Sequence, residues 1–145
     1  MAEIQRNSTG LSAEYFVAAE LYRRGWSVGI TIGNAKAIDL FAEKDDVTIP
    51  IQVKGIYSKK SSGWPMTRKQ VTANCIYIFV NLNADKMGAP DYYICTSEEA
   101  FNAVDEYGKR GIVTVGTMRD SGTLGQWEKL MKYSTVAKKL VNQKK

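Results

Sequence analysis

Hydrophobic and polar residues alternate along the chain in short segments that are typical of a β-sheet with helices packed on it. Strands are predicted over residues 26–32, 37–42, 47–57, 75–82, 92–95 and 112–115. Helices are predicted over residues 11–24, 97–107 and 126–141, the first of them capped by Ser8-Thr9-Gly10. Residues 58–69 are expected to form a loop. The order αβββ-ββαβα predicts an α/β (α+β) protein with a mixed sheet and flanking helices.

The turn Lys44-Asp45-Asp46 determines how the second and third predicted strands pair. A two-residue loop at Asp45-Asp46 places Asp39 directly opposite Gln52, with side chains about 5 Å apart. Lys54 lies on the same side of the hairpin, one diagonal step away. The pattern therefore predicts a carboxylate, an amide and an ammonium group on one patch. The alternatives are a solvated polar side of the strand for Gln52 and Lys54, and a strand-end turn for Asp39.

Glu14 is a charged residue in an otherwise apolar part of the first predicted helix. At the helical angle per residue, Leu11, Val17, Ala18 and Leu21 all lie within about 60° of it. A carboxylate in the middle of an apolar face is costly unless it is paired or binds a metal. Leu11 occupies the position where a capping box would need serine or threonine, so that role is excluded. A solvated first turn of the helix is the alternative.

The composition restricts the possible chemistry of the protein more than it restricts the possible folds. A chain of 145 residues predicts one domain over residues 1–145. The absence of histidine excludes Ser-His-Asp hydrolysis, Cys-His proteolysis and histidine-ligated zinc. Cys75 and Cys95 lie in apolar segments without C-x-x-C spacing, which indicates a reducing compartment. Because no apolar segment is long enough for a signal peptide or a membrane span, we expect a cytoplasmic protein without a membrane partner.

Taken in order, these residues resemble the PD-(D/E)XK nuclease superfamily, which has the restriction-endonuclease-like fold. Gly10-Leu11-Ser12-Ala13-Glu14, followed by Leu21 and Gly25-Trp26, is similar to the first helix of archaeal Holliday-junction resolvases. Ile38-Asp39-Leu40 resembles the strand that holds the first metal-binding aspartate. Ile51-Gln52-Val53-Lys54-Gly55 resembles the E-x-K strand in its Q-x-K form, known from some homing endonucleases. The resemblance covers roughly residues 8–56.

The resemblance implies a DNA endonuclease of resolvase, homing or restriction type that hydrolyses phosphodiester bonds with Mg²⁺ or Mn²⁺. It implies catalytic roles for Glu14, Asp39, Gln52 and Lys54, and metal ligation by Asp39, Glu14, Gln52 and the Val53 carbonyl. Lys54 would position the attacking water or stabilise the transition-state charge. Gln52 stands where a second acid is usual, and an amide oxygen adds no charge. The alternatives are a catalytically inactive module of this fold that binds DNA or protein, and a lysine-rich interaction protein.

The net charge of +5 is unevenly distributed along the chain. Residues 47–84 and 126–145 each carry a net charge of +5, and residues 85–106 between them carry −5. This pattern suits DNA held on one side of the molecule, with the acidic block away from the DNA or at its edge. Lysine-rich segments that only aid solubility are the alternative. The candidate nucleic-acid contacts are Lys59, Lys60, Trp64, Arg68 and Lys69, with a core position as the alternative for Trp64. A homodimer is expected by analogy with the superfamily.

Overall fold

The structure, a computed structural model, describes residues 2–31 and 38–133, and their side chains from residue 8 onward. Its first element is the helix α1, Ala2–Arg23. The helix begins before the predicted cap Ser8-Thr9-Gly10, because capping preferences are worth only about 1 kcal/mol and residues 2–6 are mostly good helix formers. It ends as predicted at Gly25, whose φ of 92° few other residues adopt readily.

The described residues form eight strands, which belong to two sheets. The strands are β1 (Ser27–Ile30), β2 (Leu40–Lys44), β3 (Val47–Ile56), β4 (Gly63–Pro65), β5 (Ile76–Asn81), β6 (Asp91–Thr96), β7 (Asp105–Tyr107) and β8 (Arg110–Thr114). The main sheet has the order β1-β2-β3-β5-β6 and is mixed, because β3 and β5 are parallel while all other neighbours are antiparallel. A smaller antiparallel sheet has the order β4-β8-β7.

Two short helices and a 3₁₀ turn complete the described fold. They are α2 (Ser97–Ala103), α3 (Val115–Asp120) and the turn Arg68–Gln70. Residues 129–133 are also helical, so the predicted terminal helix begins three residues later than residue 126, because residues 127–128 form a turn. Residues 134–141 of that prediction lie outside the described residues. None of the helices in residues 2–31 and 38–133 combines the length and apolarity needed to cross a bilayer.

The main sheet separates two apolar cores. On one face, Val17 and Leu21 of α1 pack against Ile49 and Ile51 of β3, with Leu130 closing the far side. On the other face, a second core lies between β5, β6, the small sheet and α2; its largest side chains are Trp64, Tyr77, Phe79, Tyr93 and Met118. The alternation of β3 follows from its position between two packed layers.

The structure corrects the predicted elements in three places. The helix predicted over residues 97–107 ends at Ala103, and β7 follows it, because a turn at Gly108 (φ 60°) folds β7 onto β8. The segment 58–69, predicted as a loop, contains β4. Helix α3 was not predicted at all. Each correction involves pairing with β8 or packing beside it, which a local sequence pattern does not contain.

Candidate active site at the ends of strands β2 and β3

The predicted register of β2 and β3 is confirmed. Asp45 and Asp46 form the turn with φ values of 51° and 65°, the left-handed conformation that tight hairpins need and that aspartate tolerates. Lys44 then pairs with Val47 and Leu40 with Ile51. One step further along, the Asp39 N–H donates to the Ile51 carbonyl over 3.0 Å. The regular pairing ends at Leu40 and Ile51, and Asp39, just before β2, lies beside β3 with hydrogen bonds to Ile51 and Val53, the two residues that flank Gln52.

Asp39 directly precedes the first residue of β2, at the point where β3 extends beyond its pairing with β2. Its Oδ2 accepts a 2.8 Å hydrogen bond from the backbone N–H of Val53, taking the place that the next β2 carbonyl would have had. On the β1 side, the Thr31 N–H donates to the Asp39 carbonyl over 3.1 Å, and the Thr31 hydroxyl donates to the Ile38 carbonyl over 2.6 Å. Asp39 is only 8% exposed. The Asp39 carboxylate is therefore held from β3, and the backbone of Ile38 and Asp39 is held from the β1 side.

Gln52 and Lys54 follow on the same side of β3. Gln52 is 9% exposed, so the alternative of a fully solvated polar side does not hold there, while Lys54 is half-buried. Their partners on the neighbouring strand β5 are Tyr77 and Phe79, whose rings stack with centroids 6.0 Å apart. Burial raises the pKa of the Tyr77 phenol, and the nearby Asp39 carboxylate adds to this, so Tyr77 stays neutral beside Gln52. The patch thus keeps an aromatic wall without a further charge.

Glu14 belongs to the layer on the other side of the main sheet. Around the helix its direction falls between those of the buried Leu21 and Ala18, and its side chain is half-buried. Leu11, predicted on the same face, is instead 52% exposed, because the buried face is centred on Ala13 and Val17. The structure therefore brings Asp39, Gln52 and Lys54 to one face of β3 and places Glu14 on the helix that covers the opposite face.

Gly55 sets the distance between α1 and β3 next to Lys54. A Cβ atom at this position would lie 2.7 Å from the Ala13 Cβ and 3.3 Å from the Thr9 carbonyl oxygen. Only glycine permits so close an approach of helix and strand. The residue after Ala13 is Glu14, so this contact determines how near its carboxylate comes to the end of β3. Sequence reasoning missed this role, although a glycine within a buried strand is a usable signal.

The oxygen donors at the end of β2 and β3 fit a hard divalent cation. They comprise the Asp39 carboxylate, the Gln52 amide and the Val53 carbonyl. The N–H and the carbonyl of one residue in a strand point to the same side, and the Val53 N–H points to Asp39, so the Val53 carbonyl does as well. In residues 2–31 and 38–133, no three Asp, Glu or Cys side chains gather as a metal-binding group. A site here would accordingly depend on neutral oxygens as well as carboxylates.

An open cleft of about 890 Å³ begins where β3 passes Lys54. Its walls come from the first turns of α1, from β3 and from the following loop: Thr9, Gly10, Gly55, Ile56, Tyr57, Ser61, Ser62, Gly63, Pro65 and Ile112. Lys59 and Lys60 are exposed on that loop, directly before Ser61. Sequence reasoning did not single out Ser61 and Ser62, which line the cleft. Lys69 is also exposed, further along the chain.

Trp64 is buried in the core, whereas Arg68 is exposed but has partners within the molecule, and its contact with nucleic acid remains a prediction. Trp64 is 1% exposed, its Nε1 donates to the Val80 carbonyl over 3.2 Å, and its ring packs edge-on against Phe79. The prediction that Trp64 contacts nucleic acid is therefore wrong, and the alternative of a core position is correct. Arg68 donates to the Val104 carbonyl over 2.8 Å and lies 3.5 Å from a carboxylate oxygen of Glu106. These contacts hold Arg68 against the small sheet.

The acidic block forms an ion pair with each of the two basic blocks. Besides the pair of Arg68 and Glu106, Lys129 bridges Glu99 at 2.9 Å and the Ile94 carbonyl at 2.9 Å. Several basic charges are thus neutralised within the molecule. Most lysines of the terminal block lie outside the described residues, so the prediction that the two basic blocks share one side remains a prediction.

Comparison with known proteins identifies a solved structure of the same shape. No protein-family model matches the sequence, and no curated protein matches it. The structure of the bacterial homing endonuclease I-Ssp6803I matches with a TM-score of 0.60 at 16% identity, over 91% of this chain and 95% of that one. At this identity the match shows the fold alone. The chain has the mixed α+β fold of a homing endonuclease, which confirms the predicted fold class.

Proposed function

We propose that this chain is a metal-dependent DNA endonuclease of the PD-(D/E)XK type, in its Q-x-K form. The observation that supports the proposal is the hydrogen bond from the Val53 N–H to the Asp39 carboxylate at the end of the β2–β3 pairing, next to Gln52 on β3. The same fold occurs in a homing endonuclease, so the patch stands on a scaffold that another protein uses to cut DNA. Phosphodiester hydrolysis needs an activated water, neutralised phosphoryl oxygens and help for the leaving group, and this patch offers groups suited to each.

Mg²⁺ or Mn²⁺ would be held by Asp39, Gln52 and the Val53 carbonyl. Glu14, on the helix across the sheet, would be a further ligand by reaching past the end of β3 near the contact of Gly55 with Ala13. When bound, such an ion supplies a Lewis acid and lowers the pKa of a coordinated water. The hydrogen bond from the Val53 N–H to the Asp39 carboxylate supports Asp39 as the main negative ligand. Gln52 contributes an oxygen without charge, so this donor set has one negative charge fewer than a set with two acids on the hairpin.

Lys54 is the residue proposed to act on the reacting phosphate. Its ammonium group is a donor and a positive charge, and it lies one strand step beyond Gln52 on the same side. In a half-buried position such a charge acts more strongly than in water. Lys54 would orient the attacking water or stabilise the negative charge that develops on the phosphoryl oxygens.

The DNA backbone is proposed to enter the open cleft next to β3. The main chain at Gly10, Gly55 and Gly63 lines this cleft, and glycine allows a close approach of a ligand. Lys59 and Lys60 at its rim, with Lys69, would contact phosphates. Trp64 has no part in this surface, since it belongs to the core.

Cleavage assays on wild type and matched variants test the proposal. The chain is incubated with supercoiled plasmid, linear duplex and a four-way junction, in Mg²⁺, Mn²⁺ or EDTA. We expect nicking or cutting only with metal. Lys54→Ala should lower the cleavage rate by a factor of about 10²–10³ while DNA binding is kept. Lys109→Ala, which removes an exposed lysine from the β7–β8 turn, is the matched control and should cleave normally.

Three results would contradict the proposed function. Cleavage that persists in Lys54→Ala would show that the site is wrongly assigned. No cleavage of any substrate in either metal, together with tight and salt-sensitive DNA binding, would favour the catalytically inactive binding module instead. Absence of both cleavage and salt-sensitive binding would favour an interaction protein without a nucleic-acid role.

A further inference from the structure

The side of α1 that faces away from the sheet is unusually apolar. Leu11, Tyr15, Phe16 and Tyr22 are 52%, 61%, 46% and 58% exposed. At the helical angle per residue they all lie on the half of the helix opposite the buried residue Val17. An amphipathic surface helix normally carries charged and polar residues there. We call this surface, together with the exposed Tyr57 and Met87 beside it, the outer α1 face.

The outer α1 face has a ridge with a groove on each side. Ser8, Ser12 and Phe16 form the ridge, since they are four residues apart and line both grooves. Leu11, Tyr15 and Ala19 complete the first groove. The second groove is completed by the segments after β3 and β5, with Tyr57, Leu82, Ala84, Met87 and Gly88. Small residues on the ridge would allow another helix to approach closely.

Charge argues against nucleic acid as the occupant of this surface. Glu14 is the sole charged residue in the sequence from Ser8 to Ala19, and it lies on the side of the helix that faces the sheet. Among the residues whose side chains the structure describes, none that lines the two grooves is charged. A phosphate backbone would find no lysine or arginine in these grooves. Within the two grooves a second copy of the same surface meets no like charges, while the exposed Arg23, next to Tyr22, lies outside the grooves and is paired with Glu20.

The exposed area is close to what a stable dimer requires. Six large side chains of the outer α1 face are 46–84% exposed. At about 200 Å² for a large side chain, they leave roughly 700 Å² accessible. A standard specific interface covers about 800 Å² on each partner, and a monomer rarely exposes more than a few hundred Å² of contiguous apolar surface. The surface is thus too large and too uncharged for an ordinary solvent-facing helix.

We propose that two copies of this chain associate through the outer α1 face. The ridge of one helix would pack into a groove of its partner across a two-fold axis, with Tyr15 and Phe16 as the main anchors. This inference does not depend on the proposed nuclease activity, because it rests on a surface that contains neither Lys54 nor Asp39. It gives the expected homodimer a definite interface.

Analytical ultracentrifugation of the full chain, without DNA or metal, tests the interface. We expect a dimer at micromolar concentration. Tyr15→Lys should raise the dissociation constant at least about tenfold, because it places a charge in the apolar contact. Ser12→Arg is a second variant that removes no apolar contact from the core and should act in the same direction. Tyr107→Lys is the matched control, since Tyr107 is 56% exposed on β7, outside this surface.

Circular dichroism and thermal unfolding establish that each variant is folded before its association is compared. A wild-type chain that stays monomeric at all concentrations tested would overturn the proposal, and would indicate that this face has another occupant. A dimer that both Tyr15→Lys and Ser12→Arg leave intact would overturn it equally, by placing the interface elsewhere. Dimerisation lost in both variants and kept in Tyr107→Lys is the supporting result.

Discussion

Strand β3 presents very different side chains on the two faces of the main sheet. Toward α1, β3 contributes Ile49, Ile51 and Val53, all buried among other apolar side chains. Toward the other side it contributes Gln52 and Lys54, and the facing residue of the neighbouring chain segment is Asp39. Asp39 and Gln52 are nevertheless almost as buried as the isoleucines behind them. One face is a core, and the other holds polar groups away from water.

The buried polar groups on the second face lower the stability of the fold, which indicates that they serve the candidate active site. Moving a carboxylate or an amide out of water is unfavourable unless new hydrogen bonds replace the lost hydration. Asp39 recovers part of this through the bond from the Val53 N–H. An apolar residue at the same position would have served the fold as well. Changes on the α1 face should therefore affect stability, and changes on the other face should affect activity.

The largest effect is expected for Asp39→Asn. The variant keeps the size of the side chain but removes its charge, so cleavage should fall by a factor of about 10³. The free energy of unfolding should change by less than about 1 kcal/mol, because a buried charge is removed while one hydrogen bond is weakened. Rates and chemical denaturation measured on one preparation check both values. Asp120→Asn, at an exposed residue, is the control. Unchanged cleavage would refute the role of Asp39.

Leu21→Ala should show the reverse pattern on the opposite face. Leu21 is fully buried under α1, and truncating such a leucine costs about 3 kcal/mol. The cleavage rate per folded molecule should stay within about twofold of wild type, since no atom of the proposed site is removed. Denaturant titration with a parallel activity assay measures both. A loss of activity without a loss of stability would mean that the two faces are not separable.

Gly55→Ala tests the close contact that joins the two faces. The added methyl group overlaps Ala13, and overpacking of this kind costs about 1–3 kcal/mol. We expect the loss to be coupled to residue 13. A double-mutant cycle with Ala13→Gly should therefore show an interaction energy of about 1 kcal/mol. Gly29→Ala, which has nothing within 4 Å of the added atom, is the control. Additive effects in the cycle would exclude the predicted overlap.

Gln52→Glu should increase the difference in stability between the metal-free and the metal-bound protein. A second carboxylate beside Asp39 is expected to lower the free energy of unfolding by about 1 kcal/mol without metal, through like-charge repulsion. Added Mg²⁺ should then raise the melting temperature more in the variant than in wild type, because stronger binding stabilises the folded state by mass action. Thermal unfolding with and without Mg²⁺ measures this, with Gln126→Glu as control. An equal response to metal in both proteins would argue against a metal site at Gln52.

The smallest effect is expected for Glu99 of α2, which forms an ion pair with Lys129. Burial acts to raise the pKa of Glu99, but the backbone N–H of Thr96 and the Lys129 ammonium outweigh it and hold the pKa below its ordinary value. A lowered pKa in the folded state gives stability above the pKa of the unfolded state, which is lost as the pH falls through the folded value. Because the pair is partly exposed, Glu99→Gln should cost only about 0.5 kcal/mol at neutral pH.

Unfolding curves at neutral and acidic pH check this prediction. The difference between Glu99→Gln and wild type should vanish at a pH where Glu99 is protonated in both folded and unfolded states. Glu98→Gln, one residue earlier and exposed, is the matched control and should show a smaller difference. A difference that does not depend on pH would mean that the effect of Glu99 is not electrostatic.

The sequence alone determined the hairpin that positions the candidate site. The turn at Asp45-Asp46 and the alternation along β3 are local features, and together they define which residues face each other. The opposition of Asp39 and Gln52, with Lys54 beside them, follows without knowledge of the rest of the chain. The absence of histidine also restricted the proposed chemistry to oxygen donors and lysine from the start.

Tertiary structure alone decided the fate of residues whose partners are distant in the chain. Trp64 could have been a surface aromatic or a core residue, and the pairing of β4 with β8 buried it. Arg68 is held against Val104 and Glu106 for the same reason. The close approach at Gly55 and the apolar outer α1 face likewise depend on how α1 lies on the sheet. Non-local pairing and burial set these outcomes, and both overrule local preferences because they involve many more contacts.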